Sequence, residues 1–447
     1  MNQSSAKGSV RAAFLAVTTL FFAWGFITSL IDPLVAAVKG IFTLSNTQAQ
    51  LSAFAFFIAY GLVSFPAAAL ISRLRAVRAI LLALTMMVAG CLVMLAAANL
   101  AIYMLVLMGL FMLASGITVL QVAANPLAAG LGEPQGMHFR LTLSQTFNSM
   151  GTFIGPFVGA VLFLEGVEVE PGTVITTEVR DAALFGIDQA YFWVCGLLLA
   201  LLAFFYLSRK TVDAAAPATP ATGGVTSMVT DAFSSRWAVF GGLAIFLYVG
   251  AEVAIGTQLA LFLNSGDVWG GSDAAFAVPI LGAAMGSDGT AGVSLQEAGK
   301  AVSFYWGGAM IGRAVGSALL ARFNAARMLA ACTAIAASMC LYVVVVGGVS
   351  AGFVALSIGL FNSIMFPVIF TLTLERSTAS AEATSGLLCT AIVGGAILPL
   401  VAGTIADNAG LAMAFLAPAA CYIMVCLFAF SASRSQPIAP VTAASVH

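Results

Sequence analysis

The chain has 447 residues, of which 61% are hydrophobic and only 8% charged, and its mean hydropathy is +1.05. So little charge cannot cover the surface of a water-soluble globule, which makes this an integral membrane protein whose first partner is the lipid bilayer. A net charge of −1 gives nucleic acid nothing to bind, and the seven cysteines lie in apolar runs without CxxC or Cys/His spacing, which points to no disulfide framework, no metal and no cofactor.

The first apolar run, 12–38, is too long for the hydrophobic region of a signal peptide and no cleavage site follows it, so it is expected to stay as the first span. Trp24, Thr28 and Asp32 are spaced four and four and look out of one face of it, and Pro33 denies the helix a hydrogen bond directly after the carboxylate. Spans two (48–71) and three (79–97) are joined by "ALISRLRAVR", residues 69–78. Span four (101–130) carries a polar stripe, Ser115, Thr118, Gln121 and Asn125, and span five (141–164) a second one, Gln145, Asn148 and Thr152. The acidic stretch 165–189 reads as a loop before span six (190–208). Residues 209–236, rich in Ala, Pro, Thr and Gly and without an apolar face, read as a linker.

Six further spans follow, 237–263, 297–320, 328–348, 350–374, 385–407 and 410–432. Span seven places Glu252 four residues after Tyr248, and span eight places Arg313 on a face with Trp306 and Met310. "ALISRLRAVR" recurs as "ALLARFNAAR" (318–327) between spans eight and nine, and "GTFIGPFV" (151–158) has an echo in "GGAILPLV" (394–401). The expected fold is therefore all-α: twelve transmembrane helices in two six-helix bundles, residues 1–208 and 237–447, with the linker 209–236 between them. Such parallel repeats build transporters whose site lies between the halves.

Basic residues set the orientation. Lys7, Arg11, Arg73, Arg75, Arg78, Arg140, Arg209, Lys210, Arg236, Arg322, Arg327, Arg376 and Arg434 fall on one side, against Lys39, Arg180 and Lys300 on the other. Both termini are thus expected in the cytoplasm of a plasma membrane, a bacterial inner membrane by preference.

Ionisable groups inside a span are functional candidates by default, and here they are Asp32, Glu252 and Arg313. Aligning Gly25 with Gly250 sets Glu252 five residues nearer the cytoplasm than Asp32, about 7.5 Å at helical rise, so the two carboxylates are not expected to pair. Amide stripes suit a ligand covered in hydroxyls, and they also glue membrane helices together; both readings stand. Trp24 and Trp306 serve either packing or the stacking of a sugar ring. Arg313, near the cytoplasmic end of its span, reads as an anchor or as a brace of the inner gate through a carboxylate such as Glu375. The glycines of "GTFIGPFVG" and "YWGGAMIG" allow close helix approach. An enzyme is not expected, since His138 and His447 lie outside the spans and no nucleophile–base pair is visible.

"FFAWGFITSLIDPL", "SGITVLQVAANPLAAGLG", "LSQTFNSMGTFIGP", "YVGAEVAIGTQLALFL", "FYWGGAMIGR", "GLFNSIMFPVIFTLTLE" and "LLCTAIVGGAILPL" together resemble the recurring blocks of the fucose/glucose/galactose permease family of the major facilitator superfamily. The resemblance implies import of a hexose of the glucose/galactose type, by symport with a proton or a sodium ion. The first-span aspartate of the proton-coupled fucose permeases matches Asp32, and the place of their fourth-span glutamate is taken by Gln121, as in the glucose/galactose-type members. It further implies sugar contacts for Gln145 and Asn148, and Asn125, Thr28, Glu252, Trp306 and Asn362 join the substrate-binding candidates. Coupling is expected of Asp32, with Glu252 as a second cation candidate. "GTFIGPFVG" also has the GxxxGPxxG form of drug/proton antiporters, which makes antiport the alternative.

Overall fold

The computed structural model describes residues 3–74, 76–131, 137–165, 167, 176–215, 224–271, 282, 292–320 and 322–436. Arg75, His447 and the side chains of Lys7, Arg11, Arg73, His138 and Arg140 lie outside the described residues. All described elements are helical. Among the described residues, eleven helices are long and apolar enough to cross a membrane. The twelfth, Leu295–Leu320, has 26 residues and is more polar, with Glu297, Lys300 and Arg313 along it. At about 1.5 Å per residue it also spans a bilayer core.

The bundles follow from which faces are small. Within the first half, span one packs on span five and span four on spans two and three; within the second, span nine packs on span twelve and span eight on span ten. The glycines of "GTFIGPFVG" lie against span one: a Cβ at Gly151, Gly155 or Gly159 would collide with Phe22, Ser29 and Pro33 in turn. Between the halves, span two lies on span eleven, span five on span eight, and the second part of span one on span seven. The first two contacts exchange under the repeat, which is the symmetry of two related bundles.

Two spans are broken beside a proline, and span eleven passes from Ala381–Thr390 through a 3-10 turn, Ala391–Val393, into Gly394–Ala409. Span one is helical over Gln3–Ser29 and again over Ile31–Ile41. Pro33 has no N–H for the carbonyl of Ser29, so the ladder stops one residue before Leu30 and restarts with Leu34 donating to Leu30 at 3.2 Å. Asp32 thereby lies in the first turn of a new helix. Span ten runs Gly348–Asn362 and Met365–Leu374, and Pro367 likewise withholds a donor from Ser363.

Two stretches expected to be irregular are helical. Residues 177–189, read as part of a loop, form the first turns of a 39-residue helix, Thr177–Ala215, because Ala183, Leu184, Ile187, Ala190 and Tyr191 are buried at helical spacing beneath the acidic surface. The linker also holds a helix, Val225–Ser234. Its one fully buried residue is small, Ala232, which packs with Ala238, Ala383 and Leu387. Residues 166, 168–175 and 216–223 lie outside the described residues.

Because the spans alternate, the start of span one, the end of span twelve, the linker helix and the 374–381 connection share one end of the molecule, called here the terminal end. The 41–46 and 409–413 connections lie at the far end. There the halves are joined: Asp407 of span eleven accepts from the backbone N–H groups of Asn46 and Thr47, at 2.7 and 2.9 Å, and from the hydroxyl of Thr47 at 2.6 Å. These are the first N–H groups of span two, left without intrahelical partners.

Candidate functional site

Asp32 is buried where the halves meet, 5% exposed. Its Oδ2 accepts from the indole Nε1 of Trp306, on span eight, at 2.6 Å. On the other side stands Gly256 of span seven, where an added Cβ would lie 3.2 Å from Oδ1 of Asp32 and 3.4 Å from the Trp306 ring. Three spans, two of them in the second bundle, thus close around one carboxylate of the first. Gly256 follows Glu252 by four residues, so Glu252 lies one turn toward the terminal end, about 6 Å by helical rise, in agreement with its expected height.

The rest of the first-span stripe is mixed. Trp24 is buried, with its ring centroid 4.1 Å from that of Phe21, while the buried hydroxyl of Thr28 has no hydrogen-bond partner. On span four, Gln121 donates through Nε2 to the hydroxyl of Tyr60 at 2.8 Å, which directs its carbonyl oxygen elsewhere. Asn125 Oδ1 is buried without a partner. Ser115 and Thr118 return their hydroxyls to the carbonyls of Phe111 and Ala114 in their own helix. On span five, Asn148 donates to the carbonyl of Phe21 at 3.1 Å and fills the space over Gly25, so its amide joins spans five and one. Gln145 is half-buried one turn away. Among the expected stripes, Thr28 and Asn125 hold unmet hydrogen-bonding capacity and Asn148 has spent one of its donors on packing.

In the second bundle the polar groups around Glu252 and Asn362 form one network. Tyr248 donates to Oε1 of Glu252 at 2.7 Å, as the spacing of four allows. Asn362 is fully buried: Nδ2 donates to the hydroxyl of Tyr305 at 2.6 Å and Oδ1 accepts from the hydroxyl of Tyr422 at 2.8 Å. Tyr305 in turn donates to the backbone carbonyl of Glu252 at 3.3 Å and meets Trp306 edge-on, at 5.2 Å between centroids. Asn362 and Gln121 each stand five residues before a proline of equivalent spans, ten and four, and each bonds a tyrosine.

Arg313 crosses the interface and donates to the hydroxyl of Ser149 on span five at 2.5 Å. The brace expected with Glu375 is built otherwise. Glu375 pairs with its neighbour Arg376 at 3.0 Å, and Arg376 reaches the carbonyl of Ala432 and Ser435 at the end of span twelve and lies 5.8 Å over the Trp237 ring. The arginine next to Glu375 gains these partners because spans seven, ten and twelve end together there. Glu375 therefore belongs to a staple within the second bundle.

Sequence reasoning missed Tyr60, Gly256, Tyr305, Tyr422, Ser149 and Asp407. For Tyr305 a signal existed, since it adjoins Trp306 in "FYWGG"; Gly256 has none without knowledge of what faces it.

The profile of the Major Facilitator Superfamily matches residues 13–288. The chain is 38% identical over 433 residues to the glucose/galactose transporter of Brucella abortus, covering 97% of each chain, and 30% identical over 436 residues to the L-fucose-proton symporter of Escherichia coli, covering 95% of this chain and 93% of that one. A crystal structure of the fucose transporter FucP in the outward conformation superposes with a TM-score of 0.67 at 28% identity, covering 96% of this chain and 100% of that one. With twelve helices in two repeated bundles and a buried carboxylate between them, the chain belongs to the Major Facilitator Superfamily, in the fucose/glucose/galactose permease family, and is a membrane transporter and no enzyme.

Proposed function

We propose that this transporter imports a hexose of the glucose or galactose type, driven by a cation gradient, through alternating access. The observation that carries the reading is the bond from Trp306 to Asp32: the titratable group of one bundle is held by the other, so loading or releasing a cation there changes how the bundles fit together. The sugar class rests on the relatives, which are named for glucose/galactose and L-fucose transport, and on a hydroxyl of span one and an amide oxygen of span four with unmet capacity, Thr28 and Asn125. Gln121 and Gln145 offer further hydrogen bonds to sugar hydroxyls, and Trp24 and Trp306 flat faces for the ring. Asn362, with both amide ends bonded to tyrosines, acts by positioning.

With the termini in the cytoplasm, the far end faces outside and its contact through Asp407 closes the outer entrance. FucP has been seen in an outward conformation, and the two arrangements serve as opposite ends of one rocking motion. The cation is a proton in the E. coli relative, and a proton is the first choice here, with sodium as the alternative.

Uptake of labelled sugars into proteoliposomes, with proton and sodium gradients imposed separately, tests the reading. Accumulation of glucose or galactose under an inward gradient is the expected result. Gradient-driven export of hydrophobic cations without sugar flux would replace it with the efflux reading.

A further inference from the structure

The hydroxyl of Tyr248 has one hydrogen and faces two acceptors. It lies 2.7 Å from Oε1 of Glu252 and 3.1 Å from the backbone carbonyl of Asn362, both in donating geometry. The neighbouring hydroxyls offer no substitute, for the hydrogen of Tyr422 goes to Oδ1 of Asn362 and that of Tyr305 to the backbone carbonyl of Glu252. Asn362 ends the first helix of span ten, immediately before the break, so its carbonyl is among those a helix end leaves without an intrahelical donor.

A count of hydrogens resolves the conflict. If Glu252 is ionised, Tyr248 is drawn to the carboxylate and its bond to the Asn362 carbonyl is lost or shared. If Glu252 carries a proton on Oε1, it becomes a donor to the Tyr248 oxygen, and the tyrosine hydrogen passes undivided to Asn362. One proton added to the carboxylate therefore completes the chain Glu252 to Tyr248 to Asn362, which ends on the broken segment of span ten. We propose that Glu252 is a second protonation site, separate from Asp32 and in the opposite bundle, and that its proton fixes the break in span ten through Tyr248.

The charged groups within electrostatic reach of Glu252 are Arg313 of span eight and Asp32 of span one, of opposite sign; the titratable groups packed around it are Tyr248, Tyr305 of span eight and Tyr422 of span twelve. Glu252 thus sits where spans one, seven, eight, ten and twelve can all register its charge. The proposal extends the proton-coupled reading above, yet its test requires no sugar and no gradient.

Purified protein titrated in detergent is followed by infrared difference spectroscopy and by hydrogen exchange of the 363–366 amides, corrected for intrinsic rates. A neutral-carboxyl band that is absent in Glu252→Gln and shifted in Tyr248→Phe is expected. Exchange at 363–366 should rise several-fold as that band disappears with increasing pH. Glu252→Gln should hold exchange slow at every pH, because the amide N–H replaces the carboxyl proton, and Tyr248→Phe should hold it fast. Glu252 ionised throughout the titration, or exchange at 363–366 that neither variant alters, overturns the proposal. Failure of sugar accumulation in proteoliposomes leaves these readouts intact, so the two readings fail separately.

Discussion

The indole of Trp306 and the carboxylate of Asp32 are 274 residues apart in sequence and 2.6 Å apart in space, and their bond joins the two bundles. Hydrogen bonds to charged groups contribute about 1.5–3 kcal/mol. Trp306→Phe keeps the ring against Tyr305 and removes the donor, so the joined arrangement should lose about tenfold or more in population. Asp32→Asn should abolish gradient-driven accumulation while sugar exchange continues, because binding and rocking do not need the charge. Counterflow and accumulation measured on the same vesicles separate these; full accumulation by Asp32→Asn would assign coupling elsewhere. Gly256→Val, which forces a branched side chain into the space beside Oδ1, should resemble Trp306→Phe in an otherwise folded protein.

Asp407 is expected to govern the far end. Its three bonds hold span two by its N-terminus, where a carboxylate also meets the positive end of the helix dipole. Asp407→Ala should shift the population toward separation of the bundles there by roughly fivefold or more, since removing such a cap typically costs about 1 kcal/mol or more. Spin labels at Ile102→Cys and Val346→Cys, exposed at the far ends of opposite bundles, report the distance once the native cysteines are changed to alanine. An unchanged distance distribution in Asp407→Ala would show that the contact follows closure and does not hold it.

The amides should divide into two classes. Gln121→Ala and Gln145→Ala are expected to weaken sugar binding by about 1–3 kcal/mol, Gln145→Ala with little effect on folding and Gln121→Ala with a loss of stability as well, because the buried Tyr60 hydroxyl loses its partner. Tyr60→Phe should act in the same direction more weakly, by freeing Gln121 to rotate. Asn148→Ala also removes the bond to the Phe21 carbonyl, so its melting temperature should fall along with its affinity. Binding isotherms and thermal unfolding on one set of preparations decide; three variants alike in both measurements would undo the division.

What could be read from the sequence was local along each helix. Glu252 four residues from Tyr248 became a bond, Asp32 before Pro33 became a buried carboxylate beside a helix break, and "GTFIGPFVG" became the close face toward span one. Contacts between helices left no such trace. Nothing in Gln121 names Tyr60, and Asp407 reads as an ordinary carboxylate at a span end until span two is set against it. The linker helix escaped because Ala232 buries little apolar area, and the start of span six because charges on its outer face masked the buried alanines and leucine beneath. Asn362 looks like a ligand in sequence, since burial and two tyrosine partners cannot be inferred from spacing.

The linker helix Val225–Ser234 is tied to span eleven by Asp231, whose Oδ2 accepts from the N–H of Ser380 at 3.0 Å and from its hydroxyl at 2.6 Å. Ser380 itself caps the helix that begins at Ala381. Both bonds favour the ionised form, so they hold the Asp231 carboxyl below the ordinary carboxylate range. A group whose value is lowered on docking contributes stability above its free value, about 3.9, and loses it as pH falls through the lowered value. Docking of this helix should therefore be insensitive to pH across the neutral range and weaken only in strong acid. Asp231→Ala should accelerate hydrogen exchange over 225–234 several-fold at neutral pH, with Asp231→Asn intermediate because its amide oxygen still accepts. If exchange there is the same in all three proteins, the carboxylate does not hold the linker, and the burial of Ala232 alone does.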